Sequence, residues 1–404
     1  MNGSAGMAVV PQAGYSGAGR GTGDGSHMDE EVGGISRVDD WREQVDRHAG
    51  SEASFSQARG TPGGAAVPGT PYGSRASSLS NPGATSAETL LGSSVRRLYD
   101  KHNLKVTEDT LPAFSDSDLL REPSRLGSGA FHTVYGVRLA GSDGNSFSGV
   151  FKPLGSVDRA GNHAAHAAGI PSDDPQVAMR NLATLTYAKE LGLDVIPDTR
   201  LGVLRTEDDS TTLGLVMERA RGTEAYDAAP SVFRRGDVAA EVTKLQLLDH
   251  LTGQVDRHDG NYFIDAESDR PAKVTGIDND QAFGASLTGP ESNRFSADYS
   301  HKFFQGTKLP PVVDREMADA INGLSSSGIR RMLGDRLTER EVEAAVTRHQ
   351  GVVQHIADLS AQGRIISADD WDRGSVQELL TPDNTYFGRE RENAALRAKL
   401  RQGF

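Results

Sequence analysis

Two short polar stretches in the second half of the chain carry the residue types that phosphoryl transfer requires. The first reads Asp-Arg-His-Asp-Gly-Asn from Asp256 to Asn261, and the second reads Ile-Asp-Asn-Asp from Ile277 to Asp280. Phosphoryl transfer needs a carboxylate that orients the attacking hydroxyl, and it needs carboxylate and amide oxygens that hold a divalent metal against the phosphates. We therefore predict Asp256 as the catalytic base. The predicted metal ligands are Asn261 and Asp278, with Asp280 as a second candidate.

The arrangement of these stretches resembles the catalytic segment of a kinase. Asp256 and Asn261 have the spacing of the base and the metal-binding Asn in a protein-kinase catalytic loop, although Arg and His follow the Asp instead of preceding it. That order resembles the loop of phosphoinositide kinases, of bacterial persistence-toxin kinases and, in its first three residues, of secretory-pathway casein kinases. His258 is a candidate for assisting proton transfer, or it pairs with an acid and holds the loop.

The second stretch and an upstream strand extend the resemblance. The run from Ile277 to Gly284, read Ile-Asp-Asn-Asp-Gln-Ala-Phe-Gly, resembles the metal-binding segment of type II phosphatidylinositol 4-kinases and of the secretory kinases. Lys152 ends an apolar strand in a Phe-Lys-Pro sequence that resembles the corresponding strand of type II phosphatidylinositol 4-kinases. This is where a kinase keeps the ammonium that binds the nucleotide phosphates, so we predict that role for Lys152. A solvated surface lysine is the alternative interpretation.

Other stretches supply candidates for nucleotide binding. Gly127, Ser128 and Gly129 open a predicted hairpin whose two glycines would let the backbone approach phosphates. Val134 follows where the adenine of a kinase nucleotide is usually covered. Taken alone, a pair of glycines more often belongs to an ordinary hairpin, and His132 stands where a third glycine is usual.

Two further predictions concern the partner of the lysine and the hinge between lobes. The helix predicted downstream of Lys152 would lie behind it, and Glu190, near the end of that helix, or a more distant acid would pair with the ammonium. The strand that ends at Met217 and Glu218 would form the hinge. Backbone groups there would bind the adenine edge, and Met217 would line the pocket. A core strand with an exposed Glu is the alternative.

Composition narrows the classes of function. The 404 residues carry a formal net charge of −13 and include no cysteine, so disulfides and thiolate chemistry are excluded. A metal would need oxygen or imidazole ligands. The acidic balance disfavours a nucleic-acid partner, because phosphate contacts need clustered Lys and Arg. No run approaches the ~18 consecutive apolar residues that would span a bilayer, so we expect no transmembrane segment.

The N-terminal part differs in composition from the rest. Residues 1–88 are dominated by Gly, Ser, Ala and Pro and show no helical or strand period. Such a segment buries too little apolar surface to offset its conformational entropy, so we predict that it is disordered. A plain flexible tail is one interpretation. The other is a secretion leader, because the segment resembles the N-termini of bacterial type III effectors, and that resemblance implies delivery into the host cytoplasm rather than retention in the bacterial cytoplasm.

Together the motifs resemble an atypical kinase of the phosphoinositide 3/4-kinase-like superfamily. The resemblance implies an α+β, bilobal protein-kinase-like fold, with a small β-rich N-lobe over residues 89–222 and a helical C-lobe over residues 223–404. It also implies ATP as the phosphoryl donor and Mg²⁺, with Mn²⁺ as the alternative, as the metal.

The acceptor remains open at this stage. A Ser/Thr kinase acting on a host protein is the first interpretation, because the chain is acidic and shows no polybasic surface for anionic lipid. A phosphoinositide kinase is the alternative that the Phe-Lys-Pro and Ile-Asp-Asn sequences favour. Nucleotidyl or glutamyl transfer by the same fold, and a catalytically silent scaffold, are further alternatives.

Overall fold

The structure, a computed structural model, describes most of the chain beyond its N-terminal segment. The described ranges are 91–128, 133–141, 146–154, 163–207, 209–267, 269–292 and 307–402. The predictions for residues 1–88 and for Gly129 lie outside these ranges. Within them the chain is mixed α+β, with a six-stranded sheet first and helices dominating the C-terminal part, which confirms the predicted α+β class.

The sheet has the strand order β1-β5-β6-β4-β3-β2. Its strands are β1 (Phe114–Ser115), β2 (Ser124–Ser128), β3 (Thr133–Ala140), β4 (Ser146–Pro153), β5 (Thr199–Arg205) and β6 (Thr211–Glu218). Antiparallel pairing of β4 with β6 places Lys152 opposite Leu215 and Val150 opposite Met217. Since directly opposed residues share a face, the lysine lies on the same face of the sheet as Met217.

Helix α3 covers that face. The two helices before it are α1 (Ser93–Lys101) and α2 (His163–Ala167), and α3 itself spans Val177–Glu190. Ala178, Met179 and Leu182 of α3 pack in one apolar cluster with residues of β5 and β6. Most residues of α3 are buried, including the polar Arg180 and Asn181, because the helix is enclosed on more than one side.

The C-terminal part is built around helix α4 (Gly236–Thr252), which is buried along most of its length. A small antiparallel sheet of β7 (Thr223–Glu224), β8 (Tyr262–Asp265) and β9 (Lys273–Gly276) packs beside it. The later elements are β10 (Val313–Asp314), α5 (Arg315–Gly323), α6 (Ser326–Leu333), α7 (Glu339–Ala361), β11 (Ile365–Ile366), α8 (Gly374–Gln377) and α9 (Tyr386–Arg401). None of the helices in the described ranges combines the length and the apolarity needed to cross a membrane.

Two backbone features fix where the predicted catalytic stretches lie. Helix α4 ends at Gly253, whose φ of +67° is the left-handed conformation that glycine adopts without a steric penalty. The chain therefore turns sharply into the Asp256 loop. Strand β9 ends at Gly276, and Asp278 then adopts a left-handed backbone (φ +55°, ψ +57°) before a single 3₁₀ turn over Asn279–Gln281. Asp is one of the few non-glycine residues that tolerate this conformation.

Candidate active site

Lys152 and the Asp278 segment meet although they are far apart in sequence. Lys152 Nζ donates a hydrogen bond to Asp278 Oδ1 at 2.6 Å and lies 3.4 Å from Asp280 Oδ2, across 126 and 128 positions of the chain. The side chain of Lys152 is only 7% exposed, whereas that of Asp278 is 42% exposed. Burial alone would lower the pKa of Lys152, and the two carboxylates raise it above its ordinary value. The lysine is therefore charged, enclosed by protein and directed at carboxylates that solvent can reach.

Asp256 lies close enough to Lys152, Asp278 and Asp280 to feel their charges. Its Oδ2 accepts a hydrogen bond from Gln281 Nε2 at 3.0 Å, and its backbone N–H donates to Gln254 Oε1 at 3.1 Å. Burial raises the pKa of Asp256 to about 7, with further contributions from the negative charges of Asp280 and Asp278. The three carboxyl groups are thus close enough to influence one another, and the predicted base and the predicted metal ligands belong to one cluster.

Asn261 and His258 support the loop that carries Asp256. Asn261 is buried, and its Nδ2 donates to the backbone carbonyl of Asp256 at 2.8 Å, which leaves Oδ1 as the amide atom available to a cation. His258 Nδ1 accepts from the backbone N–H of Gly260 at 3.1 Å, and burial lowers the pKa of His258. The ring is therefore neutral at pH 7, and this bond to a backbone N–H holds the loop. The two predicted roles of His258, pairing with an acid and assisting proton transfer, stay predictions.

Arg257 is the fully buried side chain beneath the loop. Its guanidinium contacts both oxygens of the buried Asp249 on α4, at 2.9 and 3.1 Å. The same group donates to the backbone carbonyls of Asn261 (2.7 Å) and Ile277 (2.5 Å) and to Asn279 Oδ1 (2.6 Å). One side chain thus joins the helix, the Asp256 loop and the Asp278 segment, which explains how two stretches separated in sequence keep a fixed relation.

The nucleotide-binding candidates are placed as follows. Gly127 of β2 pairs with Val134 of β3. Gly136 of β3 pairs with Val150 of β4. Val134 and Lys152 each lie two residues from that second pair, so they share one face of the sheet. Met217 lies on that face as well and is 9% exposed. Ser128 is the last residue of β2.

For Glu218 the structure limits which backbone group could bind an adenine edge. Its backbone N–H donates to the carbonyl of Asp198 at 2.8 Å, and its side chain is exposed. The hydrogen bonding of the sheet therefore extends to the last residue of β6 and leaves no free N–H at Glu218 for an adenine edge. An adenine contact at Glu218 would have to use its backbone carbonyl, and an N–H donor would have to come from another residue.

The acid beside Lys152 is also not Glu190. Glu190 is exposed at the last position of α3, and the lysine is occupied by the more distant Asp278 and Asp280. The side chains that α3 directs toward the metal-ligand segment are Asn181, whose Oδ1 accepts from Asn279 N at 3.3 Å, and Arg180, whose Nη1 donates to the carbonyl of Ala282 at 2.6 Å. Helix α3 therefore holds the segment itself instead of the lysine.

This arrangement gives a prediction for Glu190→Gln. Because Glu190 is exposed and does not contact the lysine, its neutral amide variant is expected to keep any activity of the wild type at its full rate and to unfold within about 0.5 kcal/mol of the wild type. Initial rates and urea midpoints of the two proteins test this. A loss of activity in a normally folded variant would contradict the placement of the site.

The oxygen atoms of the site can be compared with the ligands that a divalent metal needs. Across the described ranges, no group of three or more His, Asp or Glu side chains forms a preformed cation cage. Mg²⁺ in phosphoryl-transfer sites usually takes only one or two carboxylates, with the remaining ligands from waters and substrate phosphates. Asp278, Asp280 and Asn261 Oδ1 offer that number of oxygens. Burial is the main reason that the pKa of Asp256 is raised, and the negative charges of Asp280 and Asp278 add to it. A divalent cation would neutralise that negative charge, so the residues fit Mg²⁺ or Mn²⁺.

Sequence reasoning missed several residues that shape this site. Gln254 connects the two catalytic stretches, since its Oε1 accepts from Val255 N and Asp256 N while its Nε2 donates to the carbonyl of Asp278 at 2.9 Å. The only signal for it is its position directly after the helix-ending Gly253.

No protein-family model matches the chain, and no curated protein matches it either.

Proposed function

We propose that this protein is an ATP-dependent kinase, with protein Ser or Thr hydroxyls as its acceptors. The observation that carries the proposal is the contact of Lys152 with Asp278 and Asp280 beside the carboxyl of Asp256. A buried ammonium, a base and metal-binding carboxylates are the groups that phosphoryl transfer uses. In this proposal the fold is a bilobal, kinase-like one of the atypical phosphoinositide-kinase-related type, with lobes over residues 89–222 and 223–404.

The proposal gives each side chain a role. Lys152 binds the phosphates of ATP, and it exchanges its contact with Asp278 for them. Asn261, Asp278 and Asp280 hold Mg²⁺, which when bound neutralises charge on the phosphates. Asp256 orients the acceptor hydroxyl and takes its proton as a general base.

The acceptor and the place of action are parts of the same proposal. The net charge of −13 favours a protein acceptor over an anionic lipid surface, whereas the resemblance of the Lys152 strand to type II phosphatidylinositol 4-kinases favours a phosphoinositide. The Ser- and Gly-rich composition of residues 1–88 supports type III secretion and action in the host cytoplasm.

A double-label experiment tests the reaction. The full chain is incubated with ATP labelled in the γ position or, separately, in the α position, with host-cell extract or phosphoinositide vesicles as acceptor. Label from γ on protein is the expected result. Label from γ on lipid would move the acceptor to phosphoinositide, and label from α would identify a nucleotidyl transferase. No transfer to either acceptor would overturn the proposal in favour of a silent scaffold or glutamyl transfer.

Matched lysine variants show whether the transfer belongs to this site. Lys152→Met is expected to reduce the initial rate by more than 100-fold, because it removes the charge that binds the phosphates. Lys273→Met is the control, since Lys273 is an exposed lysine that pairs with the exposed Asp194 at 2.9 Å, and such a pair contributes little. Equal rates for the two variants would place the transfer elsewhere.

A further inference from the structure

Gln281 is a buried glutamine with an unusual hydrogen-bond pattern. It is 8% exposed, and its Nε2 donates to Asp256 Oδ2 at 3.0 Å. Within the described ranges its Oε1 is buried without a hydrogen-bond partner. An unpaired buried acceptor costs free energy, so this amide is held in an orientation that does not satisfy its own oxygen.

The orientation is explained by the needs of Asp256. An ionised carboxylate only accepts hydrogen bonds, so the amide nitrogen and not the oxygen must face it. Gln246 shows what a structural glutamine does in this protein. Its Nε2 donates to the carbonyls of Lys308 (2.8 Å) and Asn384 (2.9 Å), and its Oε1 accepts from Tyr386 N at 3.0 Å. Both polar atoms of the Gln246 amide therefore have hydrogen-bond partners. In Gln281 only Nε2, which contacts Asp256, has one within the described ranges.

Gln281 also links the base to the metal-ligand segment. Its backbone carbonyl accepts from Val255 N at 3.2 Å, directly before Asp256, while its side chain contacts the Asp256 carboxylate. Since Asp280 is the preceding residue and Asp278 opens the same turn, the conformation that orients these carboxylates also sets the position of the Gln281 amide.

We propose that Gln281 is a positioning residue that fixes Oδ2 of Asp256, so that Oδ1 is left to meet the acceptor hydroxyl. This inference rests on the kinase function proposed above. Gln254 fixes the backbone N–H of Asp256 and Gln281 fixes its carboxylate, so the base is held from two directions. Loss of Gln281 allows the carboxylate to rotate while the nucleotide contacts remain, and therefore acts on kcat and not on the KM for ATP.

The test uses Gln281→Met, which keeps the length of the side chain and removes the donor. Initial rates are measured with γ-labelled ATP at varied concentration and host-cell extract as acceptor, together with thermal unfolding. We expect kcat to fall about 10- to 100-fold, the KM for ATP to stay within about twofold, and the Tm to stay unchanged or to rise because an unpaired acceptor has been removed. Gln281→Glu, which also lacks the donor and adds a like charge beside Asp256, is expected to fall at least as far in kcat.

Gln246→Met is the matched control, because it removes a buried glutamine whose two ends are both satisfied. It is expected to lower the Tm while the folded protein keeps the wild-type kcat. A wild-type kcat for Gln281→Met, or a fall in its Tm like that of the control, would overturn the positioning role and leave the kinase proposal intact. Absence of transfer by the wild type would instead overturn the kinase proposal and this inference with it.

Discussion

Asp256→Asn is expected to lower the rate of phosphoryl transfer by ~10²- to 10⁴-fold, which is the usual contribution of a general base. The substitution preserves the shape of the side chain and can keep the contact with Gln281 Nε2 through the amide oxygen. It removes the group that is proposed to take the proton of the acceptor hydroxyl. Initial rates with γ-labelled ATP measure the effect, and a variant with wild-type activity would exclude Asp256 as the base.

The same substitution is expected to stabilise the protein above pH 7. The pKa of Asp256 is raised from 3.8 to about 7 by burial and by Asp280 and Asp278. The folded state therefore binds a proton that the unfolded state releases between these values, and the free energy of unfolding falls as the pH rises through this window. Asn carries no charge, so the gain in unfolding free energy of Asp256→Asn over the wild type is absent near pH 4 and complete above pH 7. We expect about 1 to 3 kcal/mol at pH 8, less than the pKa difference alone implies because Asp256 is only half-buried.

Urea unfolding at pH 4 and pH 8 measures this difference. Asp198→Asn serves as the control, because Asp198 is 63% exposed and its ion pair with Lys189 is a surface pair. The control is expected to change stability by less than about 1 kcal/mol at both pH values. An Asp256→Asn variant that is equally destabilised at pH 4 and pH 8 would mean that the carboxyl is not under charge repulsion in the folded protein.

Local patterns were the part of this molecule that could be predicted from the sequence. The strand that ends in Lys152, the helix that leads to Asp256 and the α+β class depend on apolar periodicity and on turn residues close by in the chain. The partner of Lys152 could not be predicted in this way. Helix α3 is buried on several sides and presents no acid to the lysine, so tertiary packing brings in Asp278 from 126 positions away.

The two glutamines of the site show the same limit. Gln254 and Gln281 have no periodicity or motif that distinguishes them from surface glutamines, and their contacts appear only when α4 and β9 are packed together. The paired N–H of Glu218 could not be predicted for a related reason, because the sequence indicated a strand without showing how far its pairing extends. Hydrogen bonds between distant segments decide which backbone groups stay free, and a single sequence does not show those pairings.

Arg257→Met is expected to cost about 3 to 5 kcal/mol of unfolding free energy, the loss typical of breaking a buried ion pair from one side. The substitution leaves the buried Asp249 carboxylate without its bidentate partner and removes donors from the carbonyls of Asn261 and Ile277. Burial already raises the pKa of Asp249, so Asp249 without the guanidinium, although still hydrogen-bonded to Tyr386, is expected to take up a proton in the variant. The remaining stability of the variant should therefore increase as the pH falls toward 5.

Urea unfolding of a set of four proteins separates this pair from a surface effect. Arg270→Met is the matched control, because Arg270 is 42% exposed and its contact with Asp265 is a surface pair that contributes little to stability. The double variant Asp249→Asn/Arg257→Met is expected to recover part of the loss, since it leaves no buried charge unpaired. If Arg257→Met unfolded like the control, the guanidinium would not be the group that joins α4, the Asp256 loop and the Asp278 segment, and the fixed geometry of the candidate site would need another cause.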